Sequence, residues 1–168
     1  MGDMLRSAFI IGMGATMILD ATSLLRRMFL SQPLPNYPLV GRWIGHMGRG
    51  VFSHTSIKAA APIPGEVILG WGAHYAIGVM FALGFIASMG EKWTEQPTLI
   101  PALIFGAVTV VFPFVLMQPG MGLGIAASLT PDPWAARLKS LISHLLFGVG
   151  LFLAAALWAR IKGAGAIS

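Results

Sequence analysis

Four stretches of this chain are long and apolar enough to cross a bilayer as helices. They cover approximately residues 5–25, 67–88, 99–117 and 138–158. A spanning helix needs about 20 mostly apolar residues, because each advances it about 1.5 Å through roughly 30 Å of hydrocarbon. Within that layer every backbone N–H and C=O must be satisfied by the protein itself, which leaves helices as the way to use such stretches. The expected fold class is therefore all-α. It is a polytopic membrane protein, a four-transmembrane-helix bundle with a long structured first connection, forming a single domain over residues 1–168. Composition agrees: only 10% of residues are charged, against about 25% in a typical soluble domain.

The first span could be mistaken for a signal peptide, since Arg6 precedes its apolar run. Asp20 and the Arg26, Arg27 pair follow, with no small-residue cleavage site, so a retained helix is expected. Pro101 suits the first turn of the third span, and Pro113 should kink it. The first connection, residues 26–66, carries Pro33, Pro35, Pro38, Pro62 and Pro64. Its apolar, aromatic middle, Leu39 to Met47, is expected to lie in the membrane interface. The third connection, residues 118–128, is glycine-rich yet hydrophobic, as in a tight packed loop or a shallow re-entrant segment.

The formal net charge is +5. Basic residues gather at the ends of the apolar runs, so membrane lipids with anionic headgroups are the expected partners and nucleic acid is not. Arg26, Arg27, Arg42, Arg49, Lys58, Arg137 and Lys139 belong to connections one and three; Arg6, Lys92, Arg160 and Lys162 belong to the other side. The positive-inside rule then places those two connections in the cytoplasm and both termini in the periplasm. Cysteine is absent, which excludes disulfides, thiolate nucleophiles and Cys-ligated metals.

Ionisable residues inside a span are expensive and usually face protein or water. His74 and His144 stand in matching surroundings, with Gly70 and Ser140 four residues before them and Gly78 and Gly148 four after. On a helix these positions share a face. Gly12, Thr16 and Asp20 line an equivalent face of the first span, and Gly106, Val110, Phe114 and Gln118 a weaker one on the third. Small residues at this spacing suit close helix contacts. Asp20, His74 and His144 should lie in one layer, roughly 7 to 10 Å inside their helix ends, with Gln118 above. These four are the pocket candidates, and Arg42, His46 and Glu66 are candidates for its rim. The matching histidine segments also fit a duplicated helical hairpin.

Leu39 to His46, Gly65 with Glu66, Leu69 to Tyr75, and Gln118 to Gly122 together resemble a bacterial inner-membrane family, domain of unknown function 2938. The resemblance covers nearly the whole chain and implies a four-helix membrane protein of the bacterial inner membrane. It implies no activity, ligand or catalytic residue.

Four function classes fit the residues. One is binding or movement of a small solute or proton through the His/Asp-lined pocket. The second is haem b or transition-metal binding, with His74 and His144 as ligands. The third is a lipid-modifying enzyme that uses an arginine clamp and a histidine acid or base. The fourth is a homo-oligomer or membrane-complex subunit without its own chemistry. No Walker loop, HExxH pair, GxSxG elbow or dinucleotide fingerprint occurs.

Overall fold

The computed structural model describes residues 2–165, and every regular element among them is helical. The long elements are α1 (Gly2–Leu30), α2 (Tyr37–Met47), α3 (Glu66–Met89), α4 (Leu99–Gly120) and α5 (Pro133–Gly165). Of these, α1, α3, α4 and α5 are long and apolar enough to cross a membrane. The protein is thus a helical membrane protein with four spans. The apolar middle of the first connection forms α2.

The helices outrun the hydrophobic stretches because backbone hydrogen bonding does not stop where apolar side chains do. α1 continues past Arg26 and Arg27 to Leu30. It ends where Ser31 turns left-handed (φ 53°) and the Gln32 N–H reaches back to the Arg26 carbonyl at 3.3 Å. That six-residue return satisfies one of the last-turn carbonyls. α5 starts five residues before the expected position 138, at Pro133. Asp132 Oδ1 accepts from the Ala135 N–H at 3.0 Å, and proline is well tolerated in a first turn.

Pro113 acts on α4 as expected, by a specific device. Proline has no N–H to offer the preceding turn, and its ring crowds that turn's carbonyl. The segment Pro113–Met117 widens into a π turn, and the Gln118 N–H bonds to Pro113 O five residues back.

The residues form two compact units. The first contains the chain up to Leu34, Tyr75–Thr109, and the part from Ser143 onward. Its core centres on Ile11, Phe85, Ile86 and Leu151, packed with Ala8, Ala15, Ala82, Ala102 and Ala155. Glycines let its helices touch backbone to backbone. A Cβ on Gly12 would stand 2.6 Å from Val79 Cα, and one on Gly150 would stand 2.7 Å from Ala15 O. Gly106 meets Gly148 in the same way. Small residues at contacts are how membrane helices gain packing where lipid supplies no hydrophobic drive. Trp158 Nε1 donates to Ser7 Oγ at 3.1 Å, tying α5 to α1.

The second unit contains Pro35–His74 and Val110–Ile142. α2 lies directly on the start of α3, Gly41 against the Glu66 carbonyl and Gly70 against that of Tyr37. Gly70, expected on a contact face between spans, receives α2 instead. Trp43 covers Gly120 and donates through Nε1 to Phe52 O at 2.9 Å. The glycine-rich third connection is packed. His54 N–H donates to Gly120 O at 2.9 Å, Ile57 N–H to Met121 O at 3.1 Å, and Arg137 Nε to Ala126 O at 2.8 Å.

Candidate functional site

In the first unit, two ionisable side chains inside spans have hydroxyl partners on other helices. Asp20 on α1 is half-buried, and the Tyr75 hydroxyl on α3 donates to its Oδ2 at 2.9 Å. His144 on α5 is half-buried, with Nδ1 2.8 Å from Thr109 Oγ1 on α4. Thr109 Oγ1 also lies 2.7 Å from the Gly106 carbonyl of its own helix. A carbonyl only accepts, and a hydroxyl has one proton. With that proton on Gly106 O, the imidazole donates from Nδ1 to Oγ1, and Nε2 keeps its lone pair. Nε2 is then the nitrogen available to take up a proton or bind a ligand.

In the second unit, the His74 ring stacks on Tyr37 at 4.0 Å between centroids, 23° from parallel. Trp71 meets Tyr37 edge-on at 4.6 Å. Gln118, 5% exposed, donates from Nε2 to Ser140 Oγ at 3.3 Å.

The three rim candidates belong to one polar cluster there. Arg42 Nε donates to Glu66 Oε2 and Nη2 to Oε1, both at 2.8 Å. Nη1 donates to Ala60 O at 3.1 Å, and Glu66 Oε2 also accepts from Ile63 N–H at 3.1 Å. The hydrogen bond to Glu66 holds the Arg42 pKa above its ordinary value. One helical turn on, His46 Nε2 lies 3.0 Å from Ala61 O. Arg42 therefore has three of its five donors engaged within the protein, two of them with Glu66.

Of the four pocket candidates, Asp20 and His144 belong to the first unit, and His74 and Gln118 to the second. Sequence patterning does not single out their partners. Tyr75 is an ordinary aromatic beside His74. Thr109 lies one position off the face that runs through Gly106 and Val110. Ser140 has the size of a spacer, although its hydroxyl accepts from Gln118. Tyr37 and His54 carry no periodic signal. Among the described residues, no three His, Cys, Asp or Glu side chains gather as a metal-binding group.

Four spanning helices, with polar side chains hydrogen-bonded between helices and a packed first connection, define a multi-pass helical membrane protein. The chain belongs to the family described as protein of unknown function (DUF2938), which matches residues 9–158. No curated protein and no solved structure matches it. Most of the segments that carry the family resemblance fall in the second unit, where Arg42 binds Glu66 and Trp43 covers Gly120.

Proposed function

We propose that this protein binds or moves a small solute or a proton in the bacterial inner membrane, with Asp20, Tyr75 and His144 as working groups. The observation that carries the reading is the Asp20–Tyr75 hydrogen bond between two membrane-spanning helices. A carboxyl group in a span is costly to keep, and such groups characteristically mark solute or proton paths. A hydroxyl partner suits this role, because it donates to the carboxylate without cancelling its charge and can rotate when the carboxyl takes up a proton.

The reading is tested on gently purified protein and on proteoliposomes. Mass analysis should find a small polar solute bound, or an imposed membrane potential should drive proton flux above that of protein-free vesicles. Asp20→Asn should abolish whichever signal is found. Haem absorption with neither signal would replace this reading with the cofactor one.

The proposed orientation has connections one and three in the cytoplasm, supported by their seven of eleven basic residues. Because the chain has no cysteine, a single Lys58→Cys variant gives a clean label. Reaction with an impermeant maleimide in intact cells would reverse the orientation; reaction only after lysis is expected.

A further inference from the structure

The third connection has two different sides. Its inner side is packed: Met121 and Ala127 are buried, and the Ile57 N–H donates to Met121 O. Its outer side is apolar yet open. Ile125 is 66% exposed and Leu129 75%, and Trp134 in the first turn of α5 is 76% exposed. Such side chains are costly to leave in water. Exposed apolar residues along a span simply face lipid, but these three precede the apolar stretch that begins near residue 138.

Arg137 joins the parts of this patch. Its Nε donates to Ala126 O at 2.8 Å, and its Cζ lies 5.4 Å from the centre of the Trp134 ring. These two contacts hold the guanidinium in place. Leu129 folds back over Gly124, beside Ile125: a Cβ on Gly124 would stand 2.8 Å from Leu129 Cγ. Trp134, Arg137 and Leu138 share one face of α5 by their three- and four-residue spacing. Among the described residues, the Nη groups of Arg137 make no hydrogen bond and no carboxylate pairs with them. Asp132 is the one acid between residues 110 and 142, and its Oδ1 accepts from the Ala135 N–H. The patch is therefore cationic as well as apolar.

We propose that this patch binds an anionic phospholipid, with its phosphate on the Nη edge of Arg137 and its chains against Ile125, Leu129 and Trp134. The connection joins the end of α4 at Gly120 to the start of α5 at Pro133, so it stays at the level of the headgroups. Tryptophan and basic side chains are characteristic of that level. The planar fork of arginine matches a phosphate. A soluble anion would leave the three apolar side chains in water. A zwitterionic lipid brings its own cation, which Arg137, with no carboxylate partner, repels.

The test has two arms, both on the full chain. Native mass spectrometry from detergent should show phosphatidylglycerol retained more tightly than phosphatidylcholine with the same chains. Arg137→Gln should weaken that retention about fivefold, the effect of one basic residue at an anionic surface. Arg137→Lys keeps the charge but neither the fork nor the Nε anchor, and should lose most of the same preference. Full retention by the lysine variant means diffuse charge and overturns the site, as does equal retention of the two lipids. Glycerol 3-phosphate should not compete; competition at equal concentration overturns the lipid in favour of a soluble phosphate ester. The second arm leaves Arg137 in place, so it decides even if those variants do not fold. Brominated phosphatidylglycerol, as a minor fraction of phosphatidylcholine nanodiscs, should quench a fluorescence component that Trp134→Phe removes. Brominated phosphatidylcholine at the same fraction should quench it less. Equal quenching by the two overturns the proposal.

Discussion

Arg42 and Glu66, 24 residues apart in sequence, meet in a two-point ion pair with both contacts at 2.8 Å. The pair fastens α2 to the first residue of α3. Glu66 Oε2 also accepts from the Ile63 N–H, a second hold on the carboxylate besides the guanidinium. A two-point pair of this kind depends on the planar fork of arginine, which lysine lacks.

Arg42→Lys should therefore lower the thermal midpoint in detergent by a few degrees, and Arg42→Ala by more. The exchange variant Arg42→Glu with Glu66→Arg should recover only part of the loss, because the contacts with Ala60 O and Ile63 N–H are not rebuilt. A lysine variant that melts with the unaltered protein would show that charge alone holds α2.

Glycines at helix contacts and at open positions should respond in opposite directions. A Cβ on Gly148 would stand 2.5 Å from Ala102 O and 3.1 Å from Leu103 Cα, whereas one on Gly84 meets nothing within 4 Å. Gly148→Ala must push backbone aside, and overpacking of this kind costs about 1–3 kcal/mol. Gly84→Ala should be neutral or stabilising by up to ~1 kcal/mol through helix propensity. Unfolding of the two variants in mixed micelles compares them directly.

The third connection stores backbone strain at two alanines. Ala126 (φ 48°) and Ala127 (φ 59°) are both left-handed, which costs an L-residue with a Cβ roughly 1–2 kcal/mol. Ala126→Gly should relieve most of that and raise the melting midpoint. Ala127 is 1% exposed. Glycine there also removes a buried methyl worth ~0.8 kcal/mol, so Ala127→Gly should be close to neutral. Equal gains from both would mean that the Ala127 methyl packs against nothing of value.

Thr109→Val keeps the shape of the residue and removes the hydroxyl partner of His144. Hydrogen bonds between membrane helices average only ~0.6 kcal/mol, with a maximum near 1.7. Accumulation of folded protein should therefore barely change. The same holds for His144→Ala, which should impair function more than folded yield. Yield is read from detergent-extracted protein, and function from complementation of a deletion strain. Full complementation by the His144 variant would make this histidine structural.

The number and type of the main elements were legible in the sequence. Four apolar stretches of spanning length became α1, α3, α4 and α5, because helix formation in a bilayer is forced by local composition. Pro101 and Pro113 marked the places where α4 starts and widens, since a missing N–H acts within one turn. Close contacts were also partly legible: Gly12 meets Gly78, and Gly106 meets Gly148, because small residues on one helical face admit a neighbouring backbone. The partners of the polar groups were not legible. Tyr75 bonds Asp20 across 55 residues, Thr109 meets His144 across 35, and Glu66 takes Arg42 across 24. Periodicity tells which residues share a face, but not how far each helix is turned or slid against the next. A shift of one position exchanges Val110 for Thr109, and so decides whether His144 meets a methyl or a hydroxyl. Tertiary packing settles that rotation, and with it the chemistry available at each buried group.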